Sequence, residues 1–578
     1  MPSSSNTSSI TGARSPRYHD VLLITVMAVL AGCGLIYEYL MAHYAGRILG
    51  SVDTTIYAMI GLMIVSMGIG AFYARTIRCP FTGFAWLETF ITLIGALSVL
   101  AMAGLFAFAY TLPNQLQEIY QLNETLLIQG AGVNVFHRVA DGFPYLAGFV
   151  LGTMIGMEIP LIARIREEIH QTHLKHNAGT IYGADYIGAG LGAAVWILVC
   201  LKLPIIIASV ATASVNLVVG FVFIAHYRKR IKALSSLLLT NLGICALLIL
   251  IASSGSHWLS SMNNMLFKDK VVYSEATKFQ NITLTQRVLS RSRREVLSLY
   301  INGQLQFASN DEKIYHGMLV QPAMMAAARH EHVLVIGGGD GLAVRDILRW
   351  NPKSVSLVEL DPQMVKLFSG NQVKAPDWLN ARISELTQSS LTDPRVKPIY
   401  GDAFTTIEDL ADDAKYYDVI IVDLPDPNHP DLNKLYSDYF YGKLKNLLNA
   451  DGAVVVQSTS PYHAPKAFIS IGKTLATAGF QVQQYHSNVP SFGEWGWSIG
   501  TLSGLPPKQR IERLQQSPIQ HPWVGYKQIL GAFEFSPQYY QKADTVKVNH
   551  LNTPTLYQYH AEGWRSEKGI FFTNELDE

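Results

Sequence analysis

The stretch that decides the fold is HVLVIGGGDGLAVRDILRWNPKSVSLVELD, residues 332–361. VLVIG is a short run of β-formers, LAVRDILRW has helical spacing, and VSLVEL has the composition of a second buried strand. This order predicts a βαβ unit with a glycine-rich turn at the carboxyl end of its first strand. The backbone must bend sharply there and approach a ligand closely, which requires Gly337, Gly339 and Gly341.

The acids beside this turn indicate what kind of ligand it meets. Glu359 ends the second strand about 20 residues after the turn, where an acid can hold the two ribose hydroxyls of a nucleoside. A glycine-rich turn alone is compatible with NAD, FAD or adenosylmethionine. GGGDG lacks the longer GxGxxG of a dinucleotide site, and Asp340 would repel phosphate and attract a cation. The structural alternative for Asp340 is a turn or helix N-cap residue.

Two more acids are predicted to reach the same edge of the sheet. In IYGDAF, Asp402 and Ala403 follow a short strand, at a position where an adenine amino group can be read. In YDVIIVDLPDP, Asp423 follows a fourth buried strand. Ligands bind at the carboxyl ends of parallel strands in open α/β folds. A positively charged substrate or cofactor is expected where four carboxylates converge, namely Asp340, Glu359, Asp402 and Asp423.

The first half of the 578-residue chain has a different composition. Up to about residue 254 it contains seven apolar runs, each near the roughly 20 residues that a bilayer span requires. These runs are residues 21–41, 55–74, 84–111, 144–163, 181–201, 204–226 and 235–253. The sequence therefore predicts an α-helical transmembrane bundle, with the lipid bilayer as a partner, followed by an α/β region. Residues 1–19 are predicted to be disordered rather than a signal peptide.

Charge and cysteine content exclude some functions. The formal net charge of +1 argues against a nucleic-acid binder. The four cysteines lie in the apolar half without metal-ligand spacing, so no metal site is predicted. Glu38, Glu158 and Asp185 lie within or beside the apolar runs. They indicate either an amine-binding or transport cavity, or hydrogen bonds between closely packed helices.

Roughly residues 271–500 resemble the spermidine synthase family, the polyamine aminopropyltransferases. The motifs that carry the resemblance come in one order: SEATKFQNI, LYINGQLQFASNDEKIYH, VLVIGGGDG, LVELD, GDAF, YDVIIVDLPDP, LYSDYFYGKLKNLL and VPSFGEWGW. Several motifs in one order are far more specific than a glycine-rich turn alone. Residues 28–76 and YGADYIGAGLG also resemble the multi-span membrane module that is fused to such domains in bacteria.

The resemblance implies a fold and a reaction. The implied fold is a small N-terminal β-domain followed by a Rossmann-like, methyltransferase-type sheet. The reaction transfers the aminopropyl group of decarboxylated S-adenosylmethionine, a co-substrate and not a permanently bound cofactor, to putrescine or a related polyamine. Its products are spermidine and methylthioadenosine. A homo-oligomer is compatible with the resemblance. The predicted divisions are a membrane domain at 20–255, a linker at 256–270, the β-domain at 271–325, the Rossmann-like domain at 326–505 and a C-terminal extension at 506–578.

Matching motifs assign roles to individual residues by resemblance. Those implied to bind the adenosine portion are Gln280, Glu359, Asp402, Ala403 and, lining the same site, Pro430. Those implied to border the aminopropyl and polyamine channel are Gln306, His316 and Asp340. Asp423 is implied to accept the proton and Asp426 to hold the amine. The chemistry agrees, because an alkyl amine is mostly protonated near neutral pH and a carboxylate can both bind the cation and take its proton.

Several positions depart from the family pattern and leave the acceptor amine open. They are Phe279, Asn302, Leu342 and Val489. Two other hypotheses are an adenosylmethionine-dependent methyltransferase and a polyamine-sensing or transporting membrane protein. Against the methyltransferase, Val335 stands where such enzymes usually have an acid.

The side of the membrane that the α/β half faces is also open. Seven spans and the positive-inside rule put the N-terminus inside and this half outside the cell, whereas the implied co-substrate is made in the cytoplasm. The localisation implied by the resemblance is the bacterial inner membrane, as a multi-pass protein.

Overall fold

The structure is a computed structural model, and the chain forms two compact units, Met1–Lys268 and Asp269–Glu578. The residues that it describes are 16–49, 52–119, 131–171, 177–267, 269–289, 294–412 and 415–566. Residues 1–15 of the predicted disordered segment lie outside these ranges, but residues 16–19 are helical, so the prediction is wrong for them.

All of the secondary structure described in the first unit is helical. Its helices are α1 (Pro16–Leu49), α2 (Val52–Tyr73), α3 (Pro80–Ile119), α4 (Ala131–Gly156), α5 (Glu158–His170), α6 (Asn177–Leu198), α7 (Ile205–Tyr227) and α8 (Leu234–Asn264). With α4 and α5 counted together, seven segments of the described chain are long and apolar enough to cross a membrane. This number agrees with the seven apolar runs in the sequence.

Small residues bring two of these helices into close contact. A Cβ on Gly188 of α6 would lie 1.9 Å from the carbonyl oxygen of Ala28 in α1. Such close approach of helix backbones requires small side chains.

Glu38, Glu88 and Glu158 are all buried within the helical unit. Glu88, which the sequence reasoning missed, accepts a hydrogen bond from the Asn216 amide at 3.1 Å.

The predicted linker is also wrong in its boundaries. The segment 256–270 was expected to be a linker, but α8 continues to Asn264 and the first strand begins at Lys270. Neither glycine nor proline interrupts the chain between Ser256 and Asn264, so nothing in the sequence stops the helix there.

The second unit begins with a four-stranded antiparallel sheet in the order β1-β2-β3-β4. Its strands are β1 (Lys270–Ala276), β2 (Asn281–Leu289), β3 (Arg294–Ile301) and β4 (Gln304–Ala308). Asn302 and Gly303 connect β3 to β4, and both have positive φ, 51° and 82°. A two-residue hairpin with two such residues favours Asn-Gly.

A seven-stranded sheet follows in the order β10-β11-β9-β8-β5-β6-β7. The strands are β5 (His332–Gly337), β6 (Ser354–Glu359), β7 (Val396–Tyr400), β8 (Tyr417–Asp423), β9 (Leu448–Gln457), β10 (Gln481–Val489) and β11 (Gly493–Thr501). Strands β5 to β9 pair in parallel. Strand β11 pairs antiparallel with both of its neighbours, β9 and β10. The predicted Rossmann-like, methyltransferase-type sheet is confirmed.

Helices cover both faces of this sheet. They are α9 (Glu312–Ala326), α10 (Leu342–Leu348), α11 (Pro362–Phe368), α12 (Asp377–Thr387), α13 (Ala403–Asp412), α14 (Asp438–Leu447), α15 (Pro465–Thr477), α16 (Pro507–Arg513), α17 (Tyr526–Gly531) and α18 (Thr555–Ser566). Alternate residues of β8 face opposite cores, Val419 and Ile421 on one side and Ile420 and Val422 on the other. Burial on both faces explains why these strands are continuous apolar runs in the sequence.

Candidate active site

The candidate site lies where the strand order reverses, between β5 and β8. Strand β5 is followed along the chain by β6 on one side of it, whereas β8 pairs on the other side. Gly337 at the end of β5 is in register with Asp423 at the end of β8. Ligands of open α/β folds bind in the crevice at this switch point, so the sheet places Asp423 beside the glycine-rich turn.

The glycine-rich turn has little room for side chains. Gly337 and Gly341 have φ of 78° and 74°, a region that non-glycine residues rarely adopt. At Gly339 the reason is space, because a Cβ there would lie 2.5 Å from Oε2 of Glu359. The sequence reasoning missed Gly338, which has φ 65° and whose added Cβ would lie 3.1 Å from Oδ2 of Asp423.

Glu359 is fixed at the end of β6 by backbone donors. The N–H of Gly339 donates to Oε2 and the N–H of Asp361 donates to Oε1, each at 3.0 Å. Burial raises the pKa of Glu359 to about 7 although the backbone donors oppose the shift. Its carboxyl group is therefore held in one orientation beside the turn, with lone pairs left for a ligand hydroxyl.

Asp423 has a polar neighbour that the sequence reasoning did not assign. The Tyr315 hydroxyl donates to Oδ1 of Asp423 at 2.8 Å. Burial raises the pKa of Asp423 to about 6, with a further rise from Asp340, while His316 and the Tyr315 hydrogen bond oppose it. A carboxyl group with this pKa is a base near neutral pH and is ready to accept a proton.

His316 and Asp340 are the charged groups that act on Asp423. Burial alone would lower the pKa of His316, but its hydrogen bond to Glu312 and the charges of Asp340 and Asp423 raise it to about 9. Burial raises the pKa of Asp340, with His316 opposing. Oδ1 of Asp340 accepts from the N–H of Leu342 at 3.0 Å, so the turn-residue alternative is also present in the geometry.

A buried ion-pair cluster of Glu312, Arg345 and Asp346 contacts His316 through Glu312. Arg345 donates to both oxygens of Glu312 at 2.8 and 2.9 Å, and its Nε donates to Asp346 at 3.1 Å. The side chains of Glu312 and Arg345 are 0% and 1% exposed. The Nδ1 of His316 lies 3.1 Å from Oε2 of Glu312. The cluster therefore joins α9, which carries His316, to α10, which follows the glycine-rich turn.

Asp402 lies at the neighbouring strand end, before α13. Its Oδ1 accepts from the N–H of Phe404 at 2.9 Å, and its Oδ2 pairs with Lys434. Ala403 is the first residue of α13 and is buried. Pro430 begins a 3₁₀ helix, Pro430–Tyr436, and is partly buried. Lys434 belongs to that 3₁₀ helix, so the ion pair joins two segments that were both predicted to line the adenosine site.

Gln280 and Gln306 come from the small β-sheet. Gln280 lies in the turn between β1 and β2, and its N–H donates to the Thr277 hydroxyl at 3.1 Å. That hydroxyl donates to Oδ2 of Asp361 at 2.7 Å, which ties the turn to the end of β6. Gln306 on β4 donates to the carbonyl of Gln304 at 3.2 Å. Among the described residues, no hydrogen bond joins Gln306 to another predicted site residue.

Asp426 is held by side chains from two segments, the end of β9 and α18. Gln457 donates to Oδ1 at 3.1 Å, and Thr459 donates to Oδ2 at 3.0 Å. The Nε2 of His560 in α18 lies 3.1 Å from Oδ2. These three partners orient the Asp426 carboxyl group.

The sequence offered a signal for some of the missed residues. Tyr315 precedes His316 within the DEKIYH motif, and Gln457 ends a strand at the ligand-binding edge. Lys434 and Thr277 lie close to assigned motifs. His560 had no signal, because it lies more than 100 residues from Asp426 in a segment without a recognised motif.

The fold and the acidic edge define the class of protein, an α/β enzyme with a methyltransferase-type Rossmann-like sheet. The polyamine aminopropyltransferase of Shewanella oneidensis is 51% identical over 564 residues, which covers 98% of this chain and 98% of that protein. The chain belongs to the polyamine aminopropyltransferase family. The predicted family and the predicted enzyme class are confirmed.

The spermine/spermidine synthase domain family matches residues 312–512. Polyamine aminopropyltransferase 1 of Streptomyces coelicolor is 32% identical over 561 residues and 94% of each chain. A crystal structure of spermidine synthase in complex with the transition state analogue AdoDATO aligns with a TM-score of 0.41 at 19% identity, over 48% of this chain and 90% of that chain.

Proposed function

We propose that this chain transfers the aminopropyl group of decarboxylated S-adenosylmethionine to putrescine or a related polyamine, giving spermidine and methylthioadenosine. The observation that carries the proposal is Asp423, which ends β8 in register with Gly337 and has a pKa raised to about 6. A base at this edge can take the proton of an amine nucleophile.

The proposed reaction needs one proton transfer and one displacement. Asp423 takes a proton from the substrate ammonium, and the free amine attacks the methylene carbon next to the sulfonium. The carbon–sulfur bond breaks, its electron pair returns to sulfur, and neutral methylthioadenosine leaves. The positive charge passes from sulfur to the alkylated nitrogen, so much of the remaining catalysis is alignment of the two reactants.

The residues at the edge divide between the two reactants in this proposal. Adenosine would be held by Glu359 through its ribose hydroxyls and by Asp402 through the adenine amino group, with the remaining contacts from Gln280, Ala403 and Pro430. The glycine-rich turn, Gly337, Gly339 and Gly341, would pass close to the sulfonium side. The amine would meet Asp340 and Asp426, with His316 and Gln306 bordering its channel. Acid at Asp340 also disfavours intact S-adenosylmethionine, whose own carboxylate would approach it.

Three of the four departures from the family pattern have structural explanations. Asn302 has the positive φ that its hairpin requires, and Leu342 and Val489 are fully buried in the core. Phe279 is 43% exposed beside Gln280.

A product assay tests the function directly. The purified full-length protein is given decarboxylated or intact S-adenosylmethionine with a series of diamines and polyamines, and products are identified by mass. Formation of methylthioadenosine together with an aminopropylated amine is the expected result. Methyl transfer from intact S-adenosylmethionine, or no product with any amine, contradicts the proposal.

The raised pKa of Asp423 predicts the acid side of the pH profile. The carboxyl must be deprotonated to accept a proton, so kcat/KM should fall as the pH drops through about 6. Tyr315→Phe removes a hydrogen bond that lowers this pKa, so the fall should begin at a higher pH. Tyr441→Phe is the matched control, because the Tyr441 hydroxyl is buried without a hydrogen-bond partner among the described residues. Identical acid limbs in the wild type and Tyr315→Phe would contradict this assignment.

We also propose that the seven apolar helices span the cell membrane as a multi-pass anchor. Each is long enough to cross the hydrocarbon core. The protein should stay in the membrane pellet after an alkaline wash and dissolve only in detergent; release by the wash alone contradicts the anchor. A reporter fused to the C-terminus would identify the side that the enzyme unit faces.

A further inference from the structure

Helix α18 of the C-terminal extension contacts Asp426 of the predicted amine site, although it lies outside the matched family domain. The match ends at residue 512, while α18 comprises Thr555–Ser566. Within the second unit, α18 packs against α15 and the loop before it. A Cβ on Gly563 would lie 2.7 Å from the carbonyl oxygen of His463, so the helix meets that backbone without an intervening side chain.

A buried asparagine, Asn549, connects the C-terminal extension to the 3₁₀ helix Pro430–Tyr436. The Asn549 amide donates to the carbonyls of Asn433 and Tyr436, each at 3.1 Å. Its Oδ1 accepts from the N–H of Leu556 at 3.2 Å, and both Asn549 and Leu556 are fully buried. The start of α18 is therefore fixed to the 3₁₀ helix that carries Pro430, and its later turns have a defined position.

This placement brings His560 to Asp426. The Nε2 of His560 lies 3.1 Å from Oδ2 of Asp426, and the two side chains are 10% and 16% exposed. Facing a carboxylate oxygen, this nitrogen is the one that carries a proton, because a bare nitrogen would repel the oxygen. His560 thus adds a third donor to those from Gln457 and Thr459.

We propose that His560 of the C-terminal extension is a positioning and affinity residue for the amine substrate, acting through Asp426. The inference rests on the proposed function of the site. Three donors hold the Asp426 carboxylate in one orientation and offset the cost of burying it. In this proposal the lone pairs that remain are held in a fixed geometry for the substrate amine. The extension is in this way part of the amine-binding site and not only a cover on the sheet.

The expected effect is on amine binding more than on the chemical step, because Asp423 is not a partner of His560. His560→Phe should raise KM for the amine about tenfold, which corresponds to about 1.4 kcal/mol. Both kcat and KM for the aminopropyl donor should change less than about twofold, since neither depends on this hydrogen bond. His560→Gln keeps an N–H donor in reach and should restore most of the amine affinity.

Glu562→Gln is the matched control on the same helix. Glu562 pairs with Lys466 at 3.1 Å on the surface, where its side chain is 60% exposed, so its loss should leave KM unchanged. Thermal midpoints of all variants show whether a change in KM merely reflects unfolding. Equal amine KM values in His560→Phe and Glu562→Gln would overturn the inference, and so would equal losses in amine KM, donor KM and kcat.

Calorimetric binding of the amine to the full-length protein separates this inference from the proposed function. If the wild type makes no aminopropylated product but its amine affinity falls in His560→Phe, the activity is overturned and the role of His560 stands. If the wild type is active and His560→Phe binds the amine as tightly as the wild type does, the role of His560 is overturned and the activity stands. If the wild type neither binds amine nor forms product, both are overturned.

Discussion

Replacing Asp423 with asparagine should reduce turnover by about 10²- to 10⁴-fold, the range that a positioned proton acceptor contributes. The amide keeps the size of the side chain and can still accept from the Tyr315 hydroxyl, which lies 2.8 Å from Oδ1. It cannot take a proton from the substrate ammonium. We therefore expect a large loss in kcat, measured by steady-state kinetics with saturating donor and amine. The thermal midpoint should change little.

The matched control for this variant is Asp409→Asn, an identical chemical change on the exposed face of α13. It should leave kcat and KM unchanged. Binding of methylthioadenosine to Asp423→Asn should persist, since the groups proposed to hold adenosine are elsewhere on the edge. Turnover in Asp423→Asn within a few-fold of the wild type would exclude Asp423 as the base.

The second large effect concerns stability. Glu312→Gln should destabilise the second unit by about 3–5 kcal/mol, because Arg345 would then be buried with one of its two carboxylate partners missing. Burial alone would raise the pKa of Glu312, but its interactions with His316 and Arg345 lower that pKa below its usual value. The fold therefore stabilises the charged carboxylate. We expect the thermal transition of the full-length protein in detergent to fall by about 10 °C, at roughly 2–4 °C per kcal/mol.

Glu331→Gln provides the comparison for that experiment. Glu331 pairs with Lys353 at 2.8 Å, but the two side chains are 49% and 66% exposed. Exposed pairs contribute at most about 1 kcal/mol, so this variant should melt close to the wild type. Similar midpoints for Glu312→Gln and Glu331→Gln would show that the buried cluster does not stabilise the fold. Because Glu312 also holds His316, the variant should lose activity at temperatures where it is still folded.

Much of the fold followed from local patterns. Apolar runs near 20 residues predicted seven long helices, and seven such segments are found in the described chain. The alternation of VLVIG, turn and helix predicted the first βαβ unit, because burial on both sheet faces leaves a continuous apolar strand in the sequence. The linker predicted at 256–270 was wrong because neither glycine nor proline ends α8 before Asn264.

The candidate site followed from the sequence only in part. Parallel strands end at one edge, so acids that follow such strands must lie near one another, and Asp340, Glu359, Asp402 and Asp423 could be grouped on that ground. Partners that depend on packing could not be found in this way. The Tyr315 hydroxyl meets Asp423 across 108 residues of sequence, and no periodicity encodes that distance.

The sequence by itself determined the family, the sheet and the acids at its edge, because motif order and strand patterning are local properties of the chain. Only the tertiary structure decided how those acids are held. His560 reaches Asp426 because Asn549 fixes the start of α18 to the 3₁₀ helix at Pro430–Tyr436, and Arg345 reaches Glu312 because α9 and α10 pack together. Such contacts arise when distant segments bury their surfaces against each other, and burial then determines the pKa and orientation of each carboxyl group.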